Sequence, residues 1–395
     1  MNKQLGIIVM LIMTVFIGFG IIIPALPAIV VDSGGEEFHL ALLLSLYSAA
    51  SFLMSPFWGA LSDRIGRKPI ILTGLAGFCV SFFVFGMAEH HLWLMYVARI
   101  VGGLFSGAVT ACAVAYVADI TTEETRTKGM GLVGMAIGGG FIIGPGVGGL
   151  LSLISNGAPF FAASILALIA LLLAGSMLTE SLTPAKRAER RTTVKQSRWK
   201  AFAGRLKYLY VLSFFVSFTL AGLETTFQYY QMDKIGAKPF DIGMMFLVSG
   251  VVGAWIQGSV VRKRIKKGGE ARAVMLGLAL SAAGFILILF SSSVWTAAIY
   301  LAVFGAGNAL IRPCVTSLIT TRTTVGQGVA SGLSSSMDSL GRILGPLLGM
   351  ALFKGGHSWP FIAGGALCVA AVWLVQRFAA LDRHHVQASG GQTAS

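Results

Sequence analysis

Apolar blocks of roughly 20 residues recur from one end of this chain to the other, and that is the length at which a helix crosses a bilayer. Twelve can be counted, at about 5–30, 40–62, 70–88, 92–117, 128–152, 158–178, 208–231, 240–262, 272–290, 294–318, 326–353 and 358–378. No strand-period alternation supports a barrel. Within lipid that leaves helices, which satisfy their backbone groups internally. Composition agrees, with 55% of the residues hydrophobic and only 12% charged, against about 25% charged in soluble domains. The sequence therefore predicts an all-α, multi-pass membrane protein of twelve transmembrane helices. Its first block is longer than the core of a cleaved leader and reads as a retained span.

The net charge of +14 would suggest nucleic acid in a soluble chain. Here the bases gather in alternate loops. Those after even-numbered spans carry Arg64, Arg67, Lys68, Arg126, Lys128, Arg262, Lys263, Arg264, Lys266, Lys267, Arg272 and Arg322, while those after odd-numbered spans carry Asp32, Glu36, Glu37, Glu89 and Asp233 with only Lys234, Lys238 and Lys354 as bases. The positive-inside rule then puts both termini in the cytoplasm. The one long polar segment, 179–207, is basic and divides the spans six and six. We read 1–178 and 208–378 as two six-helix bundles, 179–207 as a cytoplasmic linker lying on anionic headgroups, and 379–395 as a disordered cytoplasmic tail. Nucleic acid is not an expected partner. Cys79, Cys112, Cys314 and Cys368 all fall inside apolar blocks, at no metal-ligand spacing, and read as packing residues.

The halves repeat each other. Gly131, Leu132, Gly140, Gly144, Pro145 and Gly148 match Gly332, Leu333, Gly341, Gly345, Pro346 and Gly349, all shifted by 201 residues. Internal repetition of helical halves marks transporters. Between spans 2 and 3 lies "GALSDRIGRKPI". Gly59 is small enough for close helix approach, Asp63 at a helix end requires a cationic or helix N-terminal partner, Gly66 supplies a tight turn, and Arg67 with Lys68 faces headgroups and neighbouring acids.

The pattern G-x-L-x-D-R-x-G-R-K, made by Gly59, Asp63, Arg64, Gly66, Arg67 and Lys68, resembles the signature of the major facilitator superfamily. The resemblance implies two pseudo-symmetric six-helix bundles around a midplane cavity. It also implies that this loop is a conformational latch, with Asp63 pairing to charges near the ends of spans 4 and 11, and Asp119 and Arg126 forming a second cytoplasmic cluster. "GFGIIIPALP" in span 1, with Pro24 and Pro27, "YVARIVGGLFSGA" in span 4, with Arg99 and Gly103, and "GFIIGPGVGG" in span 5, with Gly140, Gly144, Pro145, Gly148 and Gly149, resemble motifs of the drug:proton antiporters. The prolines allow bending, and the last motif implies export rather than import. Gly102 stands where the family often has Gln. The glycine run is no dinucleotide loop, since it follows no strand and sits mid-membrane.

Charge inside lipid costs several kcal/mol unless paired or hydrated, so four such residues are informative. Glu224 shares a face of span 7 with Ser213, Ser217, Ala221 and Gln228, spaced four, four, three and four residues apart. This polar stripe predicts a cavity-lining face, where desolvation favours the neutral form of an acid and equips it to exchange a proton. Arg99 needs an acceptor and could sense the protonation of an acid. Asp338 and Arg342 are spaced i, i+4 and could form a structural ion pair or take part in coupling. Arg312 reads as snorkelling to the cytoplasmic end. Some multidrug members carry a second acid in span 10. This chain has Asn308 there, which would leave Asp338 to supply the second carboxyl. Phe16, Tyr47, Phe227, Gln228, Tyr230 and Asn308 are the expected substrate contacts, the rings through stacking and cation–π attraction.

The chain thus resembles bacterial multidrug exporters of the drug:proton antiporter family. That implies a transporter rather than an enzyme, expected to act as a monomer in the cytoplasmic membrane on amphipathic, often cationic drugs and dyes. Its energy source would be the proton gradient, with no cofactor and no metal, since no G-x-x-x-x-G-K-[ST] loop is present. A dedicated exporter of tetracycline, a sugar or a siderophore, a lipid or glycolipid flippase, and a transport-dead sensor are the alternatives on the same scaffold.

Overall fold

The computed structural model describes residues 3–88, 90–182, 202, 206–261, 263, 265, 268–323 and 327–391. Most of the basic linker, together with Arg262, Arg264, Lys266 and Lys267, lies outside the described residues. Among those described, the secondary structure is helical and contains no strand. The first span is two helices, α1 (Lys3–Ile22) and α2 (Leu26–Asp32), because Pro24 and Pro27 withdraw the donors that would continue α1. Then come α3 (Glu37–Ile65), α4 (Arg67–Gly86), α5 (Leu92–Ile120), α6 (Glu123–Leu151) and α7 (Ala158–Met177). The second set is α8 (Lys207–Ile235), α9 (Pro239–Trp255) running into a π-helical turn at Ile256–Val261, α10 (Glu270–Ile288), α11 (Val294–Arg322), α12 (Gln327–Gly355) and α13 (Trp359–Gly391).

Eleven of the described helical segments are long and apolar enough to cross a membrane. The exception among the long helices is α12, whose 29 residues include Asp338, Arg342 and five serines. With it the chain has the twelve long helices that its sequence predicts. Helix α13 continues through Gly391, past residue 379 where the sequence predicts a disordered tail. Ala379, Ala380 and Leu381 are strong helix formers and no Pro interrupts them. Asp382 on this extension pairs with Arg322 at 3.2 Å.

Two compact units are present. One comprises residues 1–194 with 228–250, the other 195–227 with 251–395. One boundary, between residues 194 and 195, falls within the 179–207 segment, but 228–250, which the sequence assigns to the second bundle, groups with the first unit. The end of α8 and most of α9 belong with the first unit because glycines bring α9 onto α6. A methyl at Gly243 would meet the Pro145 carbonyl at 2.5 Å, and one at Gly250 would meet Ile142 at 2.9 Å.

Small residues set the helix contacts within each unit. In the first, α6 lies on α1. A side chain at Gly20 would meet the Gly144 Cα at 2.9 Å, one at Gly140 would meet Phe16 at 2.6 Å, and one at Gly148 would overlap the Ile21 carbonyl. Around Phe19 cluster Phe16, Tyr47, Phe78 and Phe82, with ring centroids 5.0–5.8 Å away. In the second unit α12 lies on α8 in the same manner. Gly341 meets the Phe214 carbonyl, Gly345 approaches Gly222, and Gly349 faces Gly222 and Thr226. The repeat read in the sequence is thus a repeat of helix packing.

Candidate functional site

Two polar assemblies stand out, one at a helix end of the first unit and one among three helices of the second. The first is built on the turn between α3 and α4. Gly66 has φ +118°, a conformation that favours glycine, and its N–H closes α3 by donating to the Ser62 carbonyl at 3.1 Å. Arg67 then starts α4 with only 3% of its surface exposed. Its guanidinium donates to Asp63 at 2.6 Å, to Asp119 at 3.1 Å and to the Ser62 hydroxyl. The Ser181 hydroxyl donates to Asp119 at 3.3 Å.

A residue that local pattern did not single out completes this network. Glu180, just after α7, accepts the backbone N–H groups of Arg67 at 2.9 Å and Lys68 at 3.1 Å. A carboxylate there satisfies two orphan donors and complements the helix dipole of α4. Lys68 Nζ donates to the Gly175 carbonyl at 2.9 Å. The Tyr116 hydroxyl donates to the Thr179 carbonyl at 2.7 Å and lies 3.1 Å from Gln4 Oε1, which brings α1 and α5 to the same point.

The sequence reading of this loop needs correction in its details. Arg67 reaches Asp119 at the end of span 4 and also pairs with Asp63, so the arginine joins the two acids. Arg67 is buried among acids and does not face headgroups. Arg64 is exposed, and Arg126 stands exposed in the first turn of α6, outside the network. A side chain at Gly59 would meet no described atom within 4 Å.

The second assembly lies between α8, α11 and α12. The Ser217 hydroxyl donates to Asp338 at 2.8 Å, and Arg312 Nη2 donates to Ser217 at 3.4 Å. One turn away, Ser213 and Ser334 share a hydrogen bond of 3.2 Å. A cavity of about 220 Å³ opens here, with Ser213, Arg312, Thr316, Ser334 and Asp338 as its polar wall and aliphatic side chains opposite. Glu224 has Arg342 and then Arg312 as its charged neighbours, and Arg312 also senses Asp338. The spacing of Ser213, Ser217 and Glu224 on one helix face is what aims them at the same two helices.

Structure thus gathers Glu224 and Asp338, which the sequence singles out, with Arg312, which it places at the membrane edge. Arg312 is exposed, and its guanidinium reaches toward Ser217 with Asp338 as a charged neighbour. No ion pair within 4 Å joins Asp338 to Arg342 among the described residues; Asp338 is bonded to Ser217 instead. Asn308 is not in this cavity. It borders a separate void of about 10 Å³ with Thr219 and Ser281, about the volume that admits one water.

Arg99 is 5% exposed and lies in the first unit, against the rings of Phe85 at 5.0 Å and Tyr47 at 5.7 Å. Its Nε and Nη2 find no hydrogen-bond partner among the described residues. Phe16 packs in the α1–α6 contact, with Phe141 at 5.4 Å. Phe227, Gln228 and Tyr230 are all buried on α8, and the Tyr230 hydroxyl accepts from Lys234 at 3.1 Å.

Comparison with known proteins places this architecture. The sequence profile described as Major Facilitator Superfamily matches residues 8–323 and 265–394. Quinolone resistance protein NorA of Staphylococcus aureus is 30% identical over 320 residues, covering 80% of this chain and 81% of that protein. Multidrug resistance protein 2 of Bacillus subtilis (strain 168) is 33% identical over 382 residues, covering 94% of this chain and 95% of its own. The crystal structure of the human organic anion transporter MFSD10 (TETRAN) superposes with a TM-score of 0.73 at 25% identity, over 95% of this chain and 99% of that one. With twelve long helices, a repeated glycine ladder and the buried arginine turn, this multi-pass membrane protein belongs to the major facilitator superfamily.

Proposed function

We propose that this chain is a proton-driven antiporter of the bacterial cytoplasmic membrane, both termini cytoplasmic, that exports amphipathic, often cationic drugs and dyes. It works as a monomer by alternating access, with no cofactor. Glu224 holds a proton or a cationic substrate in turn, and deprotonation restores substrate binding. The observation that carries this reading is the polar cluster of the second unit. An acid on the polar face of a membrane helix, with guanidinium neighbours and a cavity beside the same cluster, has the groups needed to exchange one positive charge for another. The resistance proteins among its relatives support drug export as the direction and the cargo. Arg67 with Asp63, Asp119 and Glu180 is the latch that holds the first unit's helix ends together.

The test is dye and quinolone movement into proteoliposomes under an imposed pH gradient. Native protein should move ethidium, an uncoupler should stop it, and Glu224→Gln should lower gradient-driven transport about tenfold or more while the variant stays folded. Equal transport by Glu224→Gln would remove Glu224 from the coupling role. Absence of any movement by folded native protein would end the multidrug reading.

A further inference from the structure

We propose that the exposed face where α8 begins and α13 nears its end is a binding site for the headgroup of an anionic phospholipid, held by Lys207 and Arg377 and backed by the rings of Tyr208 and Trp373. The site shares no residue with the two polar assemblies and does not depend on the transport reading.

Packing fixes the two helices against each other. Leu206, Leu209 and Tyr210 share one core with Ala371, Val375 and Phe378. The spacing of the last three puts them on one side of α13, which leaves Trp373 and Arg377, four residues apart, together on the opposite side. Trp373 is 52% exposed, and Lys207 and Arg377 are exposed as well. The rings of Tyr208 and Trp373 meet edge to face with centroids 6.4 Å apart. Each ring carries a cation. Lys207 Nζ stands 5.3 Å from the centre of the Tyr208 ring, and the Arg377 guanidinium 5.4 Å from that of Trp373. Contacts of this length attract a cation to the ring face. Neither Lys207 nor Arg377 forms an ion pair within 4 Å among the described residues, so both keep donors for an anion.

Charge and shape together select the ligand. No Asp or Glu occurs at 206–223 or at 355–381, so neither helix brings an acid to this face. Asp382, the first acid of α13, falls on the core side by helix period and pairs with Arg322. The start of α8 adds the positive end of its dipole. A guanidinium can give a phosphate two parallel hydrogen bonds, and an ammonium adds a point charge, so the pair suits a phosphodiester. The surface beside the cations is apolar. Ile362, Val369 and Trp373 form one exposed stripe along α13, with Val369 63% exposed. A soluble anion would leave that stripe unused. A phospholipid uses both parts, with its phosphate at the two cations and an acyl chain along the stripe. Tyr and Trp rings sit at headgroup level in membranes, the depth at which a phosphate stands. A zwitterionic headgroup brings its own ammonium toward Lys207 and Arg377, and the like charge disfavours it.

The test reads the fluorescence of Trp373, taken in each background as the difference made by Trp373→Phe. The full chain is reconstituted in phosphatidylcholine vesicles, into which phosphatidylglycerol or phosphatidylcholine brominated on its acyl chains is mixed. Bromine quenches a tryptophan that it touches. Brominated phosphatidylglycerol should quench Trp373 with a relative association constant about tenfold that of brominated phosphatidylcholine. Lys207→Gln combined with Arg377→Gln should bring that ratio to about one, and Arg377→Lys should keep part of it. Lys3→Gln, which removes an exposed base from the other unit, should leave it unchanged. Equal quenching by the two lipids, a ratio that survives the double variant, an equal loss in Lys3→Gln, or displacement of the lipid by soluble glycerophosphate would overturn the proposal. Absence of quenching by either lipid would mean that protein covers the face, and would overturn it too. The native comparison decides even where the double variant fails to fold.

Discussion

The same glycine ladder appears twice in this molecule, and its two copies serve different chemistry. In the first unit Gly140, Gly144 and Gly148 seat α6 on α1; in the second, Gly341, Gly345 and Gly349 seat α12 on α8. A proline follows the middle glycine in both. The positions flanking the first glycine differ. Ile137 and Phe141 stand where the second copy has Asp338 and Arg342. The partner helices differ likewise, since α1 is apolar throughout this contact while α8 brings Ser217 and Glu224. Backbone proximity is therefore the shared part of the design, and polar function is written onto one copy by a few substitutions that leave the packing register intact.

The comparison breaks most sharply at Gly148. A methyl there overlaps the Ile21 carbonyl, whereas one at Gly349 would sit 3.2 Å from the Gly222 Cα. Gly148→Ala should abolish the folded, monodisperse protein in size-exclusion chromatography, and Gly349→Ala should lower Tm by only a few degrees. Similar behaviour of the two variants would mean that the ladders are mechanically equivalent. The next largest effect concerns the helix-end pairs. Arg67→Ala leaves Asp119 buried without its cation and should cost about 3–5 kcal/mol. Arg322→Ala removes a pair whose arginine is 36% exposed and should cost about 1 kcal/mol or less. Thermal unfolding in detergent reads both.

A smaller change in stability, with a large change in function, sharpens the contrast between the copies. Asp338→Ile combined with Arg342→Phe gives α12 the residues of α6. Both side chains are only half-buried and the glycine contacts of α12 are untouched, so Tm should move by less than about 5 °C, while gradient-driven transport in proteoliposomes should be lost. Retained transport would show that the charges of α12 are dispensable and that Glu224 acts without them.

Much of the fold could be read from the chain. Apolar blocks of bilayer length and the 201-residue shift are one-dimensional signals, and both survive as helices and as packing. The division into units was not readable, because the contact of Gly243 and Gly250 with α6 depends on a three-dimensional approach that no local pattern announces. In the polar cluster, helix periodicity was enough to group Ser213, Ser217 and Glu224. It could not give the rotation of α11, so the reach of Arg312 toward Ser217 was not readable. Glu180 is 113 residues from Arg67 in the chain. Its one sequence signal is an acid directly after an apolar span, and that signal does not say which helix N-terminus it will cap.

The use of one carboxylate, Glu224, for both cargo and proton has an electrical consequence. Under the proposed cycle a monocation leaves in exchange for one proton, so the charge carried outward equals the charge carried inward. Turnover then moves no net charge, and a membrane potential alone, with no difference in pH, would not power it. With an uncharged cargo one charge would move inward per cycle, and a potential of 100 mV would drive it by about 2.3 kcal/mol.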